Sequence, residues 1–446
     1  MIRARSRLRT IASVALLAGC GWRLAAAAPE QRAESPEPTD ISYYYDLLEH
    51  TVFRPVARAL DPSLLVRKVT GRRREAFNVD EQDQVRLPST WWQPRLGFQP
   101  LTVADMIAGL GPTTGPARGK WHVTRAKTQG VTPGFFIKDA TGARFILKFD
   151  PPNQPEMATG AGVVAAYLYW AAGFNVPNDV IVSFRSEDLA IVEGALYTDP
   201  HGHKKPISRE FLEQILARVA RSSDGTYRAL ASRLLAGKPL GPFEYRGRRR
   251  DDPEDLIPHQ LRRELRGLWS IVAWTNHADS RGPNSLDVWV TDGDRSFVRH
   301  HLIDFNGCLG SGSIAARSPQ TGNEYFVDYG VMARSLLTLG LRRARWETTV
   351  DPQLPSIGFI EASAFDPEGW RPDYPNPAFD ERTERDVRWG VRIVAGFTDE
   401  HIRAAVEQAQ FSDPRATEYL TQVLIQRRDI LVRRWLIEPQ TATTTR

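Results

Sequence analysis

His277-Ala278-Asp279-Ser280-Arg281-Gly282-Pro283-Asn284 and, further along, Ile303-Asp304-Phe305-Asn306-Gly307 decide how this chain reads. Between them, residues 285–290 (SLDVWV) and 297–303 (FVRHHLI) flank Asp292-Gly293, a strong signal for a tight β-hairpin. A hairpin brings its two ends together, so Asn284 and Asp304 are expected side by side. Upstream, Leu261, Leu265, Leu268 and Val272 recur at helical spacing. They predict a helix over 255–276 that runs directly into His277 and Asp279.

Working outward, the preceding stretch has a different texture. Residues 121–124, 134–139 and 143–149 read as strands, with Asp139-Ala140-Thr141-Gly142 as the turn between the last two. A segment without charge follows from Met157 to Asn178. Its glycines, Asn175 and Pro177 argue for a buried helix ending near Gly173, not a membrane span. Residues 181–184 and 189–194 give further strands. Helices are expected over 211–219 and after Thr398 and Asp413-Pro414, where N-cap residues stand. The layout is α+β: a small antiparallel sheet, then a mainly helical block holding one hairpin. The expected division is 1–19 export signal, 20–40 flexible tether, 41–98 aromatic-rich extension, 99–200 sheet lobe and 201–446 helical lobe.

This order of elements carries a chemistry. Phosphoryl transfer needs an aspartate to orient the attacking hydroxyl. It also needs an asparagine and a second aspartate whose oxygens hold Mg²⁺ on the nucleotide phosphates. His277-x-Asp279-x4-Asn284, then a hairpin, then Asp304-Phe305 resembles the catalytic loop and metal-binding segment of kinases in order, spacing and context. The resemblance is to the atypical branches of the kinase-like superfamily: HipA-type, secreted casein-kinase-like and lipid kinases. It covers about 120–310 and, loosely, the C-terminal helices, and it implies a bilobal fold. It also implies that Asp279 is the catalytic aspartate, with His277 as a second catalytic residue, and that Asn284 and Asp304 are metal ligands. Lys148, ending a strand, would clamp the phosphates, and Glu156 would be the acid that pairs with it. Gly130 and Gly134 would belong to a phosphate-covering loop. ATP or another nucleotide with Mg²⁺ or Mn²⁺ is the implied cofactor set, and an unidentified hydroxyl the acceptor.

The sequence departs from that pattern at several places. Asn306 breaks Asp-Phe-Gly, the loop has two glycines instead of three, and no Ala-Pro-Glu segment end is present. Singly, each element has an ordinary explanation: a solvated strand lysine, an Asx turn at Asp279, a core or capping histidine. Their joint order carries the reading.

Composition supplies the address. The chain has 446 residues, 41% hydrophobic and 25% charged, with net charge +5, which describes a globular protein with sizeable cores. Arg3, Arg5, Arg7 and Arg9 precede an apolar stretch of signal-peptide length ending in Leu17-Ala18-Gly19-Cys20, which resembles a bacterial lipobox. Cys20 is thus the expected lipidation site, anchoring the protein to the cell-envelope membrane. Plain secretion, with cleavage after the Ala25–Ala28 run, is the alternative. Removing residues 1–19 lowers the charge to +1, so the basic balance does not imply a nucleic-acid partner. With Cys20 lipidated, Cys308 has no disulfide partner. Residues 247–253 and 262–266 form a charged stretch, read as a solvated face or the lining of a site for an acidic substrate. Two other functions stay open: a pseudokinase or scaffold lipoprotein, and a metal-dependent hydrolase built on His259, His277, His300 and His301. The latter lacks any His-Glu-x-x-His spacing, and His300 and His301 point to opposite faces of one strand.

Overall fold

The computed structural model describes residues 34–40, 48–60, 62, 73–127, 133–199, 202–312, 314–339, 341 and 344–437. The export signal, Cys20, Tyr43 to Tyr45 and Gly130 lie outside them. The architecture is α+β, with one seven-stranded and one three-stranded sheet.

Alternating apolar residues build the larger sheet from β1 (Trp121–Lys127), β2 (Gly134–Lys138), β3 (Arg144–Lys148), β4 (Asp179–Phe184), β5 (Leu189–Thr198), β6 (Lys204–Pro206) and β7 (Tyr227–Arg233). Their order is β4-β7-β3-β2-β1-β5-β6. All pairs are antiparallel except β1 with β5, which run parallel. The sheet extends past residue 200. β7 inserts between β3 and β4, because Ala229, Leu230 and Ala231 are apolar enough to be buried in its middle. The turn at Asp139 forms as expected, with Asp139 Oδ1 accepting from the Thr141 and Ala143 amides.

The uncharged segment is helix α1 (Met157–Ala171), buried along almost its whole length. A helix apolar on every side must sit inside. It lies between the sheet and the helical block, and Gly173, at φ +102°, ends it where only glycine fits against Trp92. Helix α2 (Arg209–Leu216) covers the sheet core through Leu212 and Leu216.

The second core is helical. Helix α3 starts later than the spacing predicted, at Arg263, and runs to Trp274; Pro258 precedes a short 3₁₀ turn at His259–Leu261. It packs with α4 (Glu384–Ala395), α5 (Asp399–Glu407) and α6 (Pro414–Val432), whose caps are Thr383, Thr398 and Asp413. β9 (Ser285–Asp292) and β10 (Arg295–Leu302) form the expected hairpin, and β8 (Lys238–Gly241) adds to β9.

Two expectations change here. Residues 34–40, read as the end of a tether, lie against β8: the Thr39 amide donates to Leu240 O at 2.8 Å. The arginine-rich stretch is a solvated face only in part: Arg248 and Arg250 are exposed, while the other arginines turn inward. Arg249, Arg263 and Arg266 are buried on Asp287 and Asp386, carboxylates that fold in from distant elements, and Arg262 is buried on Asp255, seven residues before it. The charge of these four is compensated internally, so they are spent on the fold and not on an acidic substrate. Among the described residues no helix is long and apolar enough to cross a membrane.

Candidate active site

Three backbone facts place the site. Register pairs Lys127 with Gly134, and Gly134 with Lys148, so the two lysines end one row across β1, β2 and β3. Gly134 is needed there for close packing, since a Cβ would collide with the Leu147 carbonyl oxygen. At the foot of the β9–β10 hairpin, Leu302 faces Ser285, and the Ile303 amide donates to Asn284 O at 3.0 Å. Asn284 and Asp304 are therefore adjacent. Asp304 sits at φ +61°, a left-handed conformation that aspartate tolerates better than most residues, and this turns its carboxylate out of the strand.

The side chains then meet. Lys148, 5% exposed, places Nζ 2.9 Å from Asp304 Oδ1. This ion pair links the sheet to the hairpin. Burial opposes the ammonium, but Asp304 and Asp179 outweigh it and raise its pKa. Burial likewise works against the Asp304 charge, and Lys148 and Lys127 overcome it, holding the carboxyl well below its ordinary range. In the loop, Asn284 Nδ2 donates to Asp279 O and to Asp279 Oδ2, at 2.6 and 2.8 Å. Arg281 Nε donates to Asp279 Oδ1 at 2.6 Å. Asp279 stands half-open to solvent, with Arg317 and Asp373 as neighbouring charges.

His277 does not join the Lys148–Asp304 and Asp279–Asn284 contacts. It is 4% exposed, wedged by Phe305 and bonded through Nδ1 to the Tyr169 hydroxyl at 3.0 Å; burial lowers its pKa to about 4. It is a neutral support beneath the loop, where the sequence reading made it catalytic. Glu156 does not pair with Lys148 either. At φ +70° ahead of α1, it turns away and accepts from the Ser412 amide at 2.9 Å.

Three participants escaped the sequence reading. Lys127, whose pKa burial lowers, faces Asp304 and Lys148. Asp179 opens β4, is 1% exposed, and has one oxygen without a hydrogen-bond partner. Asn306 accepts from Lys148 at 3.4 Å and donates to Ala158 O at 3.0 Å. Only Lys127 had a local signal, lying between the strand read at 121–124 and the glycine-containing loop.

The donor set fits a hard divalent cation. Asn284 commits its amide nitrogen to Asp279, which leaves its oxygen available, and Asp304 has a second carboxylate oxygen beyond the one facing Lys148. Two such oxygens suit Mg²⁺ or Mn²⁺, ions that complete their shells with phosphate and water. The histidines make no comparable cluster. His259 and His300 are each spent on a carboxylate, Asp255 and Asp287. Among the described residues no group of three or more His, Cys, Asp or Glu is placed to hold a metal ion.

No family model matches the chain, and no curated protein matches its sequence. Solved structures are similar at low level. The Helicobacter pylori proinflammatory kinase CtkA is 11% identical, covers 74% of this chain and 100% of its own, and gives a TM-score of 0.37. The Golgi casein kinase is 10% identical over 74% of this chain and 75% of its own, at 0.33. Its form with Mn/ADP bound is 8% identical over 75% and 78%, at 0.31. Likenesses of that size leave the reading of the site to its own geometry.

Proposed function

We propose that this protein is a kinase-like phosphotransferase that moves the γ-phosphoryl of a nucleotide to a hydroxyl acceptor. One observation carries the reading: the Lys148–Asp304 ion pair joins the sheet to the foot of a hairpin whose other end holds Asn284 against Asp279. A divalent cation held by Asn284 and Asp304 would neutralise phosphate charge and align the transferred group. Lys148 and Lys127 would bind phosphate oxygens from the sheet side. Asp279, held by Asn284 and Arg281, would accept the proton of the acceptor hydroxyl and orient its oxygen. His277 and Phe305 would keep the loop in register from below.

We further propose that the chain is exported and lipid-anchored through Cys20 in the cell envelope. The arginine-led apolar segment ending in Leu17-Ala18-Gly19-Cys20 supports this. The acceptor is then a hydroxyl of an envelope protein, sugar or polymer.

A thermal-shift series with ATP and Mg²⁺ or Mn²⁺, followed by transfer of labelled γ-phosphate, tests the reaction. A nucleotide- and metal-dependent shift is expected, with transfer abolished by Asp279→Asn and by Asp304→Asn. Transfer that survives both substitutions would show that other residues carry the chemistry.

A further inference from the structure

A lysine that binds phosphate has to be held, and the usual holder would be an acid on the neighbouring helix. Helix α1 has none: its first turn carries no acidic residue, and Glu156 is turned towards Ser412. We propose that Asn306 is the positioning residue that ties the Lys148 ammonium to the first turn of α1; the assignment rests on the phosphotransferase reading of this site.

Both ends of the amide are used. Oδ1 lies 3.4 Å from Lys148 Nζ, and Nδ2 donates to the Ala158 carbonyl at 3.0 Å. The residue is 4% exposed. It lies so flat against the helix that a Cβ at Gly162, one turn on, would come 3.4 Å from its Oδ1. Packing therefore fixes the orientation: donor to the helix, acceptor to the lysine.

The chemistry explains why an amide serves here. Asp304 also holds Lys148, but a divalent cation on Asp304 would compete for the same carboxylate. A neutral amide makes no such choice and keeps the ammonium in place. A second carboxylate at 306 would set like charges side by side beside Asp304. A glycine there, as the Asp-Phe-Gly pattern has it, would leave the lysine without a tie to the helix.

The test uses the purified protein, with Asn306→Ala and Asn306→Asp compared. The first measurement is the acylation rate of Lys148, read by mass spectrometry against the exposed Lys138 and Lys204. The second is binding of a fluorescent ATP analogue with Mn²⁺, in Lys148 and Lys148→Ala backgrounds. Asn306→Ala should raise labelling of Lys148 several-fold and leave the two exposed lysines unchanged. It should weaken nucleotide binding about tenfold, the weight of one hydrogen bond to a charged group, and by less than about twofold once Lys148 is gone. Asn306→Asp, which keeps the acceptor and the volume but loses the donor, should fall between. Unchanged labelling of Lys148, a rise at all three lysines, or an equal loss of affinity in both backgrounds would overturn the assignment. A wild type that binds no nucleotide while Asn306→Ala still releases Lys148 would instead overturn the phosphotransferase reading and uphold the tie.

Discussion

Asp179→Asn should make the protein more stable at neutral pH, although it removes a carboxylate that faces Lys148. Asp179 is 1% exposed, and one of its oxygens has no hydrogen-bond partner. Burial raises its pKa to about 6 from 3.8, net of the opposing pull of Lys148 and a hydrogen bond with Ser232. A carboxyl whose folded pKa exceeds its unfolded one holds its proton more tightly when folded. Folding is thus penalised above pH 6, and the penalty fades as pH falls towards 3.8. A shift of that size corresponds to about 3 kcal/mol at pH 8. Removing it should raise Tm by roughly 3–6 °C. His277 acts in the same window with the opposite sign. Its folded pKa of about 4, against 6.5, removes stability as pH falls from 6.5 towards 4. The two slopes partly cancel in the wild type, so the variant-minus-wild-type difference is the informative quantity. Melting both proteins by calorimetry between pH 5 and pH 8 should give a gap that is widest at pH 8 and narrows to about half by pH 5. An asparagine variant that melts below wild type at pH 8, or a gap independent of pH, would refute the argument that Asp179 is a strained buried charge.

Other perturbations reach different parts of the frame. Arg427→Met strips donors from the carbonyls of Ala273, Trp274 and Glu361, which Arg427 now caps at 2.6–2.9 Å. It should cost about 3–5 kcal/mol in urea unfolding, with Arg427→Lys recovering only part, since one ammonium lacks the guanidinium's fork. Gly134→Ala should destabilise by about 1–3 kcal/mol through the clash with the Leu147 carbonyl, checked by thermal melting. Lys127→Ala should weaken binding of a fluorescent nucleotide by about three- to tenfold, with a shallower salt dependence than wild type; unchanged affinity would remove Lys127 from the phosphate side.

Where neighbours in space were close in sequence, or joined by one hairpin, the chain could be read directly. Asp279 and Asn284 are five residues apart on one loop, and Asp292-Gly293 announces the turn that brings Asp304 to them. The strand ending at Lys148 and the uncharged helix were legible for the same reason. Asp179 was not, because it nears Lys148 only through β7, which arrives from residues 227–233 to lie between β3 and β4. Glu156 is near Lys148 in sequence, but its own left-handed backbone ahead of α1 sends its side chain to Ser412. Arg249, Arg263 and Arg266 looked like surface, as Arg248 and Arg250 are, because nothing local showed that Asp287 and Asp386 would fold over them. Local pattern specifies elements, whereas the counter-charges of buried ions come from register and long-range docking.

The Arg427 cap has a consequence for the order in which the molecule is made. Helix α3 leads straight into the loop at 277–284, and its last carbonyls are closed by a side chain from α6. During synthesis the loop at 277–284 emerges some 150 residues before the residue that secures the helix beneath it. A nascent chain therefore lacks that support until α6 has left the ribosome, and truncations ahead of Arg427 should yield chains that retain Lys148, Asp279, Asn284 and Asp304 yet stay inactive.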